Sequence, residues 1–575
     1  MKYTKFVIRN YKAIDELTVN LSKNVIPLIG LNESGKTSIL QAILAFDKDK
    51  DNLLDGLHVI TKNKYKTVQS PCELKACLVL ENEDEFQSIG EEVGLKMDNP
   101  LYSWLKSSLE NHHEICLQRE YKDNVLQKSY ILVNEPKEII EAPKVASLVR
   151  ALVKRLPNIL YFDDFSDRVP ECVPFPENYA NDNQLGRGRV REWQEIIVEI
   201  FSRALKEEFS LPTFLKLTDE DDRDNYLSDV ADTLNNDIID EWRKLKQVFS
   251  SFSEDSEELK LTIKYTKEDN KPSFKFKVID SECGGSDRVF DINQRSKGFQ
   301  WFFNFIMKLK YNPKYKLFPE NAIYLLDEPG SYLHSSAQTE LLKKLCDIGK
   351  NNTIIYCTHS QYLLDPEIIN IAGIKIVTKT DGRICLEDYG NCTVTQSLGA
   401  FSALNDALHL KFSFHENILK NCILTEGITD YYFFKMFFNF NGINIIPGSG
   451  CGQLKELIAI LISCSDKFVV VLDNDPEGRS SYNSYKHYYN DSFVKRCYQY
   501  SGLVKSGNDF ALENILSPAD TERIKSEVSC KDIKNAIVKL FFLDNAKKEL
   551  IISAIDEDTK RNIDIIKRKI LALLK

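Results

Sequence analysis

The chain lacks long apolar runs. No stretch approaches the ~20 continuous apolar residues of a membrane-spanning helix, so no membrane is expected among its partners. No secretion signal is expected, since Met1-Lys2-Tyr3-Thr4-Lys5-Phe6 has no apolar run after its charges. Its 14 cysteines are scattered, with no C-x-x-C pair and no Cys/His spacing of a metal site. Reduced thiols in a cytoplasmic protein are the expectation. A net positive charge is absent too. The balance of −10 argues against a protein that coats nucleic acid non-specifically, though it leaves room for a local basic groove. No internal repeat and no low-complexity tract interrupts the sequence.

The chain holds two separate sets of residues suited to phosphate chemistry. Its 575 residues, 43% of them hydrophobic, exceed one core and predict about two to four domains. The first set opens at Gly30-Leu31-Asn32-Glu33-Ser34-Gly35-Lys36-Thr37-Ser38, between the apolar run Val25–Ile29 and a helical pattern over 38–46. Strand, glycine loop and helix form the context in which backbone N–H groups wrap phosphates at a helix N-terminus. Lys36 would reach the β- and γ-phosphates of ATP, and the Thr37 hydroxyl would ligate Mg2+. Far downstream, Leu325-Leu326-Asp327-Glu328 ends a second apolar run. Asp327 suits the Mg2+ of the nucleotide, and Glu328 suits a base that polarises the attacking water. His359 follows the next apolar run, Thr353–Cys357, where it would sense the γ-phosphate.

The second set lies near the end. Glu426 follows Cys422–Thr425, and Asp473 and Asp475 follow Phe468–Leu472. Parallel strands ending in acids gather them at the carboxyl edge of a sheet, and residues i and i+2 of an extended segment face one side. Such oxygen ligands suit Mg2+ or Mn2+, ions that act on phosphodiesters.

The rest of the chain reads as α/β. Strands are expected near 6–8, 73–81 and 159–162, a helix over 84–93, and a hairpin over 115–133. Helical patterns run over Trp193–Glu208 and Tyr226–Phe249, within a segment whose acids cluster between Asp219 and Glu258. Strand alternation returns over 259–279, and a helix is expected over 299–310. After a connector near 390–418, an α/β alternation starts afresh at Cys422. Basic clusters stand at Arg187–Arg191 and Lys567–Lys569.

Asn293-Gln294-Arg295-Ser296-Lys297-Gly298-Phe299 resembles the shortened signature motif of ABC-type ATPases such as SMC and RecF proteins. That resemblance implies that Ser296 caps the γ-phosphate of ATP held by a second protomer. Gln69 is the candidate for the family's Q-loop. Glu426-Gly427 and Asp473-Asn474-Asp475 resemble the motifs of the Toprim domain.

An ABC-type ATPase with a helical insert, followed by Toprim, resembles the OLD (overcoming lysogenisation defect) nuclease family across nearly the whole chain. The implied fold is an ABC/SMC-like ATPase with a helical dimerisation insert and then a Toprim α/β domain. The implied division is an ATPase N-lobe at 1–164, the insert at 165–255 and an ATPase C-lobe at 256–392. A linker at 393–418, Toprim at 419–540 and a helical segment at 541–575 completing it follow. The resemblance adds Asp430 and Glu513 as metal ligands with Glu426, Asp473 and Asp475. It places Ser449 in the loop after the next strand and implies a lysine against the scissile phosphate, for which Lys560 is the candidate. One departure is Gly330, where the family usually carries an acid.

The implied activity is a metal-dependent DNA endonuclease regulated by ATP, of the two-metal type, acting in bacterial defence against phage. It would work as a homodimer or higher oligomer through the ATPase and the insert. A separate defence partner is implied, either a helicase-like protein, as in Gabija systems, or a retron reverse transcriptase with its RNA–DNA product. The alternative is an SMC/RecF-like DNA-repair clamp without nuclease activity.

Overall fold

The computed structural model describes residues 1–47, 70–134, 142–163, 169–186, 188–204, 210–247, 259–268, 271–281, 287–312, 321–370, 373–388, 421–438, 440, 442–448, 450, 454–464, 467–489, 491–504 and 510–574. The expected linker at 393–418 lies outside the described residues. The chain divides into two compact units, the first Met1–Leu364 with Gly373–Tyr389 and Gly399–Phe401, the second Asp365–Ala372, Gly390–Leu398 and Ser402–Lys575.

Two sheets frame the glycine-loop helix in the first unit. An antiparallel sheet runs in the order Ile14–Asn20, Lys2–Tyr11, Cys72–Val79, Ile115–Lys122, Val125–Leu132. The other runs Arg383–Asp388, Lys375–Thr380, Val25–Ile29, Thr353–Cys357, Ile323–Asp327, Ile159–Asp163, parallel except at the Arg383–Asp388 edge. One apolar core joins Phe6 and Ile8 of the first sheet, Ile39, Leu40 and Ile43 of the helix Lys36–Leu44, and Leu28, Leu325 and Ile355 of the second. Both faces of that helix are therefore dry, and each fully buried Ile or Leu contributes about 1.5–3 kcal/mol. Arg119, fully buried, reaches the C-terminal end of the same helix: it donates to the carbonyls of Ala45 at 3.1 Å and Asp47 at 3.0 Å, its guanidinium 4.9 Å from the Tyr130 ring. A cation suits the negative end of a helix dipole.

The structure corrects the expectation of reduced thiols at one pair. Cys77 and Cys116 stand directly opposite across two antiparallel strands, 4.1 Å apart at Cα, and form a disulfide. Facing positions of an antiparallel ladder bring Cβ atoms within bridging range. Cys72, Cys172, Cys357, Cys385, Cys497 and Cys530 are free thiols.

The helix expected over Tyr226–Phe249 is broken. It runs Glu220–Leu234, passes through a π-turn at Asn235–Ile239, and resumes as Asp240–Gln247. Asn235 explains the break, because its side chain donates to the carbonyls of Ala231 at 2.7 Å and Leu261 at 2.9 Å and accepts the Leu261 N–H at 2.7 Å. An amide that serves a neighbouring strand pulls one turn open. These helices lie on a four-stranded antiparallel sheet of Val173–Pro174, Leu259–Glu268, Lys271–Asp280 and Arg288–Asp291. Phe201 and Phe214 pack on Phe274, and Trp193 on Phe276.

The second unit holds a four-stranded parallel sheet in the order Asn444–Pro447, Cys422–Thr425, Phe468–Leu472, Cys497–Gln499. Its strands are near-continuous in apolar residues, as a sheet covered on both faces requires. One side packs on Leu454, Ile458 and Leu461, the other on Tyr432, Phe434, Ile537 and Ile566.

Candidate functional site

The nucleotide-type site sits at the carboxyl edge of the parallel sheet in the first unit. Glu33 and Gly35 both adopt positive φ, 62° and 106°, which closes the loop into the helix. A Cβ at Gly35 would meet Ile384 Cδ1 at 2.2 Å, so only glycine fits there. Lys36 is buried, and its ammonium donates to the carbonyls of Gly30 at 3.1 Å and Leu31 at 3.2 Å. It also stands 2.7 Å from His359 Nε2. Burial lowers the His359 imidazole below its ordinary value, and the Lys36 charge lowers it further. A neutral His359 therefore accepts from Lys36.

Thr37 Oγ1 donates to Asp327 Oδ1 at 3.1 Å, and Tyr161 lies 3.4 Å from the other oxygen. Glu328 takes positive φ, 48°, and its Oε2 accepts the backbone N–H of His359 at 3.1 Å. Burial, the largest influence, lifts its carboxyl above the ordinary range, against the opposing His359 N–H and Lys36 charge. Asn32 is exposed and Ser38 half-buried on the same loop. Ser34 Oγ is buried without a hydrogen-bond partner among the described residues. A dry hydroxyl left open inside a phosphate-type loop fits a bound anion. Ser296 caps its own helix, Lys297–Tyr311, by accepting the Phe299 N–H at 3.3 Å. Gln69 lies outside the described residues. Gly330 has φ 69°, and a Cβ there would stand 2.8 Å from Leu341. Any side chain at this position would therefore be strained in its backbone and would press on Leu341.

The acidic site sits at the carboxyl edge of the sheet in the second unit. Thr425 pairs with Val471, which brings Glu426 and Asp473 together. The Asp473 N–H donates to Glu426 Oε2 at 2.8 Å, and Asp473 Oδ1 accepts the Leu512 N–H at 2.9 Å. The latter bond fixes the neighbouring Glu513. The strand ends at Leu472, so Asp475 is not the i+2 residue of an extended segment. Its Oδ1 instead accepts the Gly478 N–H at 2.7 Å, as a helix cap does. Asp430 is buried one turn beyond Glu426. Ser449 lies outside the described residues.

The lysine against these acids is Lys534, which the sequence reading missed. Its ammonium is 3.9 Å from Asp473 Oδ2 and 3.8 Å from Glu513 Oε2. Burial alone would lower it, but Glu513, Asp473, Asp430 and Glu426 together hold it above its ordinary value. Lys560 pairs instead with its helix neighbour Glu557 at 3.0 Å, and both are exposed.

This is a donor set short of positive charge. Burial, then the Asp473 charge, pushes Glu426 up to about 7. Burial likewise pushes Asp473 up to about 6. Glu513 Oε2 is buried and lacks a hydrogen bond among the described residues. Glu426, Asp473, Asp475 and Glu513 supply the oxygen donors that a hard divalent cation takes; no three of these residues bring oxygens within 4.8 Å of one another here, so a bound cation would draw them closer together. The effect on stability has a definite sign. Carboxyls raised in the folded state stabilise it below their unfolded values, about 4, and that contribution is lost as pH climbs through about 6 and about 7. With chelator present, melting temperature is expected to fall from pH 5 to pH 8. Mg2+ should restore more at pH 8 than at pH 5. Glu426→Gln should flatten the slope, and a slope unchanged in that variant would remove Glu426 as its source.

Comparison with known proteins agrees with the first site. A family profile described as an AAA ATPase domain matches residues 1–364. The chain belongs to that family. It is 25% identical to "Endonuclease GajA" of Bacillus cereus (strain VD045) over 439 residues, covering 76% of this chain and 67% of that one. It is 39% identical to "Uncharacterized protein MJECL43" of Methanocaldococcus jannaschii over 74 residues, 13% of this chain and 19% of that one. Among solved structures, an SMC head bound to the C-winged helix domain of ScpA is similar at 13% identity and a TM-score of 0.36, over 68% of this chain and 98% of that one. This AAA ATPase family chain is thus an α/β protein with an ATP-binding domain. No helix among the described residues is long and apolar enough to cross a membrane.

Proposed function

We propose that this chain is a metal-dependent DNA endonuclease regulated by its ATPase domain, an effector of bacterial defence against phage. The observation that carries the reading is the meeting of Glu426, Asp473, Glu513 and Lys534 at one sheet edge. The 25% identity to Endonuclease GajA over 76% of the chain supports it.

In this reading the C-terminal unit is a Toprim domain, and Glu426, Asp473, Asp475 and Glu513 hold Mg2+ or Mn2+. Such an ion supplies Lewis acidity at a phosphodiester. Lys534, rather than Lys560, holds the scissile phosphate through its charge. In the ATPase, Lys36 exchanges its contacts with Gly30, Leu31 and His359 for phosphate oxygens. Thr37 and Asp327 hold the Mg2+ of the nucleotide, Glu328 orients water, and Ser296 meets the nucleotide of a second copy. ATP or a separate partner biases a two-state assembly, and coupling of either sign is physically sound.

Plasmid cleavage with Mg2+ or Mn2+, with and without ATP, tests this. Wild type should nick or linearise DNA, and Asp473→Ala should not. Equal cleavage by both proteins removes the acidic site as its source, and ATPase turnover with no cleavage under any metal or nucleotide condition favours an SMC/RecF-like clamp instead.

A further inference from the structure

Asp430 and Tyr500 form a buried pair beside the acidic site. Asp430 lies in the first turn of the helix Ile428–Phe437 and is 6% exposed. Its Oδ2 accepts the Gly427 N–H at 3.1 Å, and its Oδ1 accepts the Tyr500 hydroxyl at 2.9 Å. Tyr500 is fully buried, and its ring centroid is 6.3 Å from that of Phe434. A buried hydroxyl needs a partner, and Asp430 is the acceptor here. Each Asp430 oxygen thus accepts one hydrogen bond from the protein and keeps a second lone pair.

What they hold is the turn that aims Glu426. Gly427 follows Glu426 directly, and its carbonyl accepts from Thr425 Oγ1 at 3.1 Å. On the far side, the Gly450 N–H donates to the Glu426 carbonyl at 3.0 Å. With its backbone fixed on both sides, Glu426 presents its carboxylate to the Asp473 N–H. We infer that Tyr500, through Asp430 and Gly427, is a positioning residue for the Glu426–Asp473 pair. This rests on the metal-site reading above.

Mn2+ binding to the full chain, read from free Mn2+ by electron paramagnetic resonance, tests it alongside thermal melting. Tyr500→Phe removes one hydroxyl and keeps the ring, so cooperative melting should persist. Mn2+ affinity should fall about tenfold, the scale of one lost hydrogen bond to a charged group. Asp430→Glu keeps the charge but cannot hold Gly427 and Tyr500 at once, and it should lose a similar factor. The double variant should bind no more weakly than the weaker single, because both act through one contact chain. Unchanged or tighter binding in Tyr500→Phe overturns the inference, as do multiplied losses in the double variant. Should Tyr500→Phe fail to melt cooperatively, Asp430→Glu decides alone: wild-type affinity there overturns the inference. Wild type that binds no Mn2+ removes the metal site itself, a different failure from wild type and Tyr500→Phe binding equally.

Discussion

Glu328→Gln is expected to lower ATP turnover by about two to three orders of magnitude, the usual scale for losing a positioned base, while ATP still binds. In the reading proposed above Glu328 serves the attacking water; the side chain lies one residue past Asp327 and accepts the His359 N–H at 3.1 Å. Burial raises its carboxyl, which strengthens it as a proton acceptor. Glutamine keeps the size and the oxygen that accepts from His359, so the loop should not move. Lys36→Ala should behave differently. It deletes the charge that replaces lost phosphate hydration, and binding itself should fail. Phosphate release and binding of a fluorescent ATP analogue separate the cases. Turnover in Glu328→Gln within a few-fold of wild type would assign the base elsewhere.

Both candidate site edges were legible in sequence because each ends an apolar strand. Val25–Ile29, Ile323–Asp327, Cys422–Thr425 and Phe468–Leu472 are short apolar runs, and their last residues must emerge at a sheet edge. Long-range partners were hidden. Cys77 faces Cys116 only through the register of two strands 39 residues apart. Asn235 opens a π-turn because a strand at Leu261 comes to lie beside it. The loop that carries Glu513 reaches the site through two hydrogen bonds, Leu512 N–H to the Asp473 carboxylate and Asn474 N–H to the Phe510 carbonyl. No local pattern announces those pairings. Lys534 did leave a faint mark. It sits in the first turn of the helix Ile533–Phe541, capped by Asp532. A cation there opposes the helix dipole, and such a placement asks for nearby acids.

That misplaced charge leads to the largest effect expected at the acidic site. Lys534→Met should cut metal-dependent DNA cleavage by about 10²–10³-fold, the range for removing one group aimed at developing charge. Methionine preserves the stem and the packing of the helix, so a simple loss of folding is not expected. It removes the cation that stands within 4 Å of both Asp473 and Glu513, leaving the acids to repel one another and any phosphate that approaches. Higher Mg2+ should recover binding of the metal but not the rate, because the ion cannot also stand where the ammonium meets the phosphate. Lys560→Met is the matched comparison. Its ammonium answers an exposed Glu557 on the same helix, a pair of the kind whose removal shifts little, and cleavage should stay within about twofold of wild type. Initial rates on supercoiled plasmid at two Mg2+ concentrations decide between them. A reversal of the two results would return the phosphate contact to Lys560.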